Sequence, residues 1–223
     1  MVIALFILMV VILLTAEYFS FSKKLSANVK LNPGVRTPLS TEIVERFFHP
    51  GHSWTLVRSS NEAVTGVDDF SQRFIGDLGD IELPQAGSSI RQGEVMALLK
   101  HGDKLLPVIA PLSGTILEVN TDLKKTPSLI NESPLEKGWI ARIVPDDLPV
   151  EVQNLFEGAT AERWQEAVRS HLIQWFSPRL GMVMQDGGEL VENVSDLTNG
   201  EEWRILVNEF FPNISSNNYN INS

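Results

Sequence analysis

The sequence predicts an α+β chain whose body is a small β-sandwich or flattened barrel, preceded by one transmembrane helix and followed by a helical extension. Three observations carry this. Met1 to Ala16 is apolar throughout except for Thr15. Between Trp54 and Ile143, short apolar and β-branched runs alternate with Gly, Pro, Asn and Asp, the pattern of closely spaced strands. After Pro145 the apolar residues recur at helical spacing instead.

Taken in order, residues 1–22 read as the transmembrane anchor. Tyr18, Phe19 and Phe21 extend the apolar run around Glu17. At ~1.5 Å per residue the segment is roughly 33 Å long, enough to cross a hydrocarbon core of about 30 Å. A cleaved signal peptide would have a basic start, a shorter apolar core and a small-x-small site, whereas this segment starts without Lys or Arg and ends Leu14-Thr15-Ala16-Glu17. Lys23, Lys24, Lys30 and Arg36 all follow the span, so the positive-inside rule predicts a single-pass membrane protein with its C-terminal soluble part in the cytoplasm.

Residues 23–48 read as a linker and a short helix. Ser26 to Leu39 is a tether by composition, and Thr41 to Phe48 is predicted helical with Ser40 or Thr41 as its cap. The β domain is assigned to 49–146. Trp54–Val57 and Ala63–Val67 are its first strands, Asp68 or Asp69 caps a helix reaching Ile75, and further strands are predicted at 79–83, 95–99, 105–109, 114–119 and 138–143. The helical extension covers 147–212. Val150–Phe156 and Ala161–Phe176 are its first helices, with Leu155, Trp164, Ala167, Val168, Leu172 and Trp175 as the buried stripe. Asp186-Gly187-Gly188 is a hairpin signal, Glu201–Phe211 a last helix ended by Pro212, and 213–223 a disordered tail.

Composition excludes several functions. A net charge of −10 argues against a nucleic-acid surface, which needs clustered Lys and Arg. With no cysteine, the chain has no disulfide, thiolate metal site or thiol nucleophile of its own.

A series of motifs is more specific than composition. In order they are His52-Ser53-Trp54, Gly66-Val67-Asp68-Asp69-Phe70, Ile75-Gly76-Asp77, Leu83-Pro84, Gly93-Glu94, Ala110-Pro111-Leu112-Ser113-Gly114, Pro127-Ser128-Leu129-Ile130-Asn131 with Pro134, and Gly138-Trp139-Ile140. From His52 to about Val144 they resemble the H-protein of the glycine cleavage system. The resemblance implies an H-protein/lipoyl-domain-like β-sandwich, a barrel-sandwich hybrid, in which a lysine at a tight hairpin tip carries lipoate between partner active sites. That lysine stands eight positions before the proline of a Pro-Val-Ser-Gly motif. Pro111 matches the proline, and the acceptor position is Asp103. The same ungapped register puts Lys100 where the family has glutamate. Lys104 reaches the tip only if one residue is gained before it and one lost after it, and a one-residue slip turns a strand side chain to the other face. Pro107, on the returning strand, fits an edge or a bulge.

Other groupings have plainer readings. His49 and His52 flank Pro50-Gly51 and read as a surface loop and family motif ahead of a metal pair. Asp68, Asp69, Asp77, Asp80 and Glu82 read as an N-cap with solvated neighbours ahead of a cation site. Ser113 lacks the context of a catalytic serine. Trp54, Trp139, Trp164, Trp175 and Trp203 read as packing residues. The expectation is therefore a membrane-anchored docking or scaffold protein, not an enzyme, without cofactor, that meets protein partners in or at the membrane, glycine cleavage or related redox components among them. The alternative is a working lipoyl carrier that shuttles an aminomethyl group or electrons from lipoate on Lys104. An enzyme with a pocket between the β domain and the helices is a third reading.

Overall fold

A computed structural model describes residues 45–180 and 193–211. The expected anchor, the tether, the Gly187-Gly188 hairpin and the tail lie outside these residues. Among the described residues no helix is long and apolar enough to cross a membrane.

Strands β1 (Glu45–Phe48), β2 (Ser53–Ser59) and β3 (Glu62–Val67) form an antiparallel meander. Over 45–48, β1 replaces the helix expected for 41–48. Phe48 pairs with Trp54 and Phe47 with Thr55, and Phe47 packs beside the buried cluster of Ala63, Leu112 and Leu155. A short segment gains a complete ladder by joining β2, whereas one isolated helical turn would bear the cost of nucleation alone. Helix α1 (Asp69–Ile75) follows as expected, with the Asp68 carboxylate accepting from the Ser71 amide at 2.9 Å.

Next come β4 (Asp80–Glu82), β5 (Ser89–Ile90), β6 (Val95–His101), β7 (Lys104–Ile109), β8 (Gly114–Val119), α2 (Leu129–Glu132) and β9 (Ala141–Pro145). The strand expected over 138–143 starts three residues late. Gly138 is wedged against the backbone of α2, where an added Cβ would come within 2.9 Å of Leu129 O and Ile130 Cα. Six strands form one sheet in the order β1-β2-β3-β9-β8-β5, and β4-β6-β7 form a second. Val67, Ile116, Ala141 and Ile143 from the first sheet share one hydrophobic core with Ile81, Leu99, Leu106 and Val108 from the second, which makes the body a sandwich. At Gly114 an added Cβ would lie 2.1 Å from the Val144 carbonyl, so the pairing of β8 with β9 at this end needs a residue without a side chain.

The extension begins with a single turn, α3 (Leu148–Glu151), whose Pro149 suits a helix start, and a 3₁₀ turn at Val152–Asn154. Leu155 is extended, and Phe156 exchanges two 2.8 Å backbone hydrogen bonds with Phe48, so the helix expected to reach Phe156 stops short. Helix α4 (Gly158–Leu180) buries Ala161, Leu172 and Phe176 and half-buries Trp164, Val168 and Trp175. Ala167, expected on that stripe, is exposed, because one position before Val168 is about 100° away around the helix. Helix α5 (Gly200–Phe210) adds Trp203, Leu206, Val207 and Phe210 to the shared core.

Candidate functional site

The hairpin of β6 and β7 stays in step from Leu98 opposite Pro107 to His101 opposite Lys104. Gly102 and Asp103 are therefore the whole turn. Gly102 has φ of +59°, the positive value that a two-residue hairpin turn needs at its first central position. The one irregularity of the ladder lies far from the tip, between Val95 and Ala97. Pro107 is on β7, the edge of its sheet, where a missing amide costs no ladder bond.

Four residues at the tip have distinct surroundings. Asp103 is exposed at the apex. The Lys100 ammonium lies 2.5 Å from the Glu82 carboxylate and 3.9 Å from that of Asp80, and its affinity for its proton is raised, chiefly by the hydrogen bond to Glu82. Asp80 is held below the usual carboxylate range, first by the backbone amide of Ile81 and then by the ammonium groups of Lys124 and Lys100. The acidic residues read from the sequence as solvated are in part neutralised by lysines from β6 and from the turn after β8.

Lys104 is half-buried, and its ammonium donates to the carbonyls of Ser195 and, at 2.5 Å, Thr198. It also lies 6.0 Å from the centre of the Trp203 ring. His101 is engaged on both ring nitrogens, by the Asp77 carbonyl at 2.5 Å and the Asp196 carboxylate at 3.0 Å. The Trp203 indole donates to the Leu105 carbonyl at 3.0 Å, so α5 covers the otherwise open edge of β7.

A strap of residues, Asn193 to Asn199, makes most of these contacts, and it is fixed at its other end by α1. The last carbonyls of a helix lack partners inside it. Here Arg73 O accepts from the Asn193 amide at 2.9 Å, Phe74 O from the Ser195 amide at 3.3 Å and Ile75 O from the Ser195 hydroxyl at 2.7 Å. The strap thus completes α1 with its donors and holds the hairpin with its acceptors. Asn199 then starts α5 through a capping box with Glu202. None of Ser195, Asp196 or Thr198 stands out in the sequence. The Asn199-x-x-Glu202 spacing is the one local signal that marks where the strap ends and the helix begins.

The two early histidines are buried, which corrects the surface-loop reading. His52 Nδ1 lies 2.9 Å from Asp68 Oδ2, and its ring stacks on Phe70 at 4.2 Å and Trp164 at 4.8 Å. His49 Nδ1 accepts from the Gly51 amide at 2.9 Å. Burial, with a smaller contribution from His52, pushes the His49 pKa down to about 4. Among the described residues no three potential metal ligands come together.

Comparison with known proteins places these features in context. Residues 29–168 match the protein family described as Glycine cleavage H-protein. The chain is 36% identical over 125 residues to the glycine cleavage system H protein 4 of Aquifex aeolicus, a match covering 56% of this chain and 70% of that one. It is 36% identical over 126 residues to the glycine cleavage system H protein of Thermus thermophilus, covering 56% and 94% respectively. A crystal structure of a glycine cleavage system H protein from Mycobacterium marinum aligns with a TM-score of 0.47 at 22% identity, over 62% of this chain and 98% of that one. The strap and α5 lie beyond residue 168.

Proposed function

The chain belongs to the glycine cleavage H-protein family, and from that premise we propose that it is a member whose carrier hairpin serves as a docking element, without lipoate and anchored to a membrane by residues 1–22. The family is one of carriers without catalytic activity of their own, and the scaffold reading needs no active site.

The observation that carries the proposal is the arrangement of the tip. Lipoate is attached to this family's members through the amine of a lysine. The exposed apex offers the carboxylate of Asp103 instead, and the nearest amine, on Lys104, is turned to two carbonyls of the strap. The tip so arranged does not fit the group. A lysine that swings a cofactor between active sites must also be free of its own chain, whereas here Lys104, His101 and Leu105 are all held by residues 195–203. The hairpin, strap and α5 then form one rigid surface for protein partners in or at the membrane, glycine cleavage or related redox components among them.

Intact-mass measurement of the full chain, purified from its native host grown with lipoate, tests the proposal. An unmodified mass is expected. A lipoyl increment that disappears in Lys104→Arg would overturn it in favour of a working carrier. Crosslinking in native membranes should recover a stoichiometric protein partner, and migration of the chain alone in mild detergent would count against a scaffold. Alkaline carbonate extraction should leave the chain in the membrane pellet; release into the supernatant would remove the anchor.

A further inference from the structure

A second feature lies on the face of the larger sheet turned away from the shared core. Arg46 of β1, Leu56 of β2, Val64 of β3 and Arg142 of β9 are successive cross-strand partners in one row. With neighbouring strands about 4.8 Å apart, the two arginine backbones stand roughly 14 Å from each other. Each guanidinium lies over an indole, Arg46 over Trp54 at 5.1 Å and Arg142 over Trp139 at 5.2 Å. Together they flank a cleft of about 400 Å³ floored by Leu56 and Val64, and Arg58 and Lys137 complete its cationic rim.

The charges in this cleft are unevenly matched. Arg142 is paired with Glu118 at 3.4 Å and Glu62 at 3.7 Å. Among the described residues, Arg46, Arg58 and Lys137 have no carboxylate within ion-pair distance, and Glu136 is the one acidic residue of the lining. Arg46 bonds the Leu135 carbonyl at 3.1 Å, while its Nε is buried with no partner. Burial lowers its hold on its proton, and Glu136 only partly offsets this. A cation withdrawn from water with only partial compensation by a counter-charge is costly. The chain has 28 acidic residues against 18 basic ones, so a cavity lined by four cations and a single carboxylate runs against its composition.

We propose that this cleft binds a small, multiply charged anion of the polycarboxylate or phosphate-ester class. Its volume falls toward the lower end of the ~300–1,000 Å³ range of small-molecule sites. Arg46, held by an indole and a carbonyl, contributes a guanidinium fixed in orientation, and the exposed Arg58 and Lys137 supply further charge from the rim.

Calorimetric titration of the full chain with citrate, and separately with pyrophosphate, tests the site at low salt, with the indole N–H signals of Trp54 and Trp139 followed by NMR. Saturable one-to-one binding of at least one probe is expected, and which probe binds distinguishes carboxylate from phosphate chemistry. Arg58→Ala and Lys137→Ala, both exposed and free of folding roles, should each weaken it about ten-fold or more, the size of a lost charge-assisted hydrogen bond. Arg91→Ala, an exposed cation outside the cleft, should leave it unchanged. Absence of saturable binding with both probes at millimolar concentration would overturn the proposal, and so would equal weakening by Arg91→Ala.

Discussion

Replacing Trp203 should loosen the strap while leaving the sandwich intact. The side chain is 3% exposed, its ring lies 5.1 Å from that of Phe74, and its N–H is bonded to Leu105. Trp203→Ala removes roughly 150–200 Å² of buried surface, which at ~25 cal/mol/Å² amounts to about 4–5 kcal/mol. Trp203→Phe keeps most of the ring contact but loses the hydrogen bond and some area, about 1–2 kcal/mol. The Asn193 and Ser195 amides, bonded to the end of α1, report whether the strap is closed. If opening becomes easier by that amount, their hydrogen exchange in Trp203→Phe accelerates roughly five- to thirty-fold, and more in Trp203→Ala. Exchange across β9 should not follow. Unchanged rates at Asn193 and Ser195 would show that α5 does not hold the strap. Equal acceleration in β9 would show that Trp203 supports the whole fold, and the assignment of α5 as the strap's support would fail.

Three further outcomes are expected. For His49 the folded pKa of about 4 lies below the unfolded value of ~6.5, so above pH 6.5 both states are neutral and nothing is lost. Between pH 6.5 and 4 the unfolded chain takes up a proton that the folded chain refuses, and stability should decline by up to about 3 kcal/mol; urea titrations against His49→Gln should show that difference disappear. Gly114→Ala places a methyl group against the Val144 carbonyl and should cost at least about 3 kcal/mol or prevent folding, as thermal unfolding will show. Asn199→Ala removes the acceptor of two amides at the start of α5, and chemical denaturation should register a loss of about 1 kcal/mol.

The sandwich was legible in the sequence because its signals are local. Asp68 caps α1, turn residues separate the strands, and Gly102 and Asp103, between two apolar runs, form the two-residue turn of the hairpin. β1 was misread because Arg46-Phe47-Phe48 has no period of its own and becomes a strand only by pairing with β2. The burial of His49 and His52 was also hidden, since the rings that enclose His52 come from α1, α4 and Phe211. Partners so distant in the chain leave no trace in the spacing of nearby residues.

The state of Lys104 shows most directly why a motif does not settle a function. By register alone it is a lysine one position from an acceptor site, and its distance from use looks like a matter of one residue in a turn. In the fold, a ladder in step from Leu98 to His101 makes it the first residue of β7, and the hydrogen bonds of its ammonium go to Ser195 and Thr198, about ninety positions away. To present that amine at the tip, the chain would have to shift the ladder and also release the carbonyls of Ser195 and Thr198, of which the Ser195 carbonyl also accepts from the Thr198 hydroxyl at 3.4 Å. The first change is one that strand pairing resists along the whole hairpin, and the second gives up the ammonium's hydrogen bonds to Ser195 and Thr198, two buried residues of the strap. Sequence proximity to the acceptor position is therefore a weaker predictor than the hydrogen-bond partners of the amine itself.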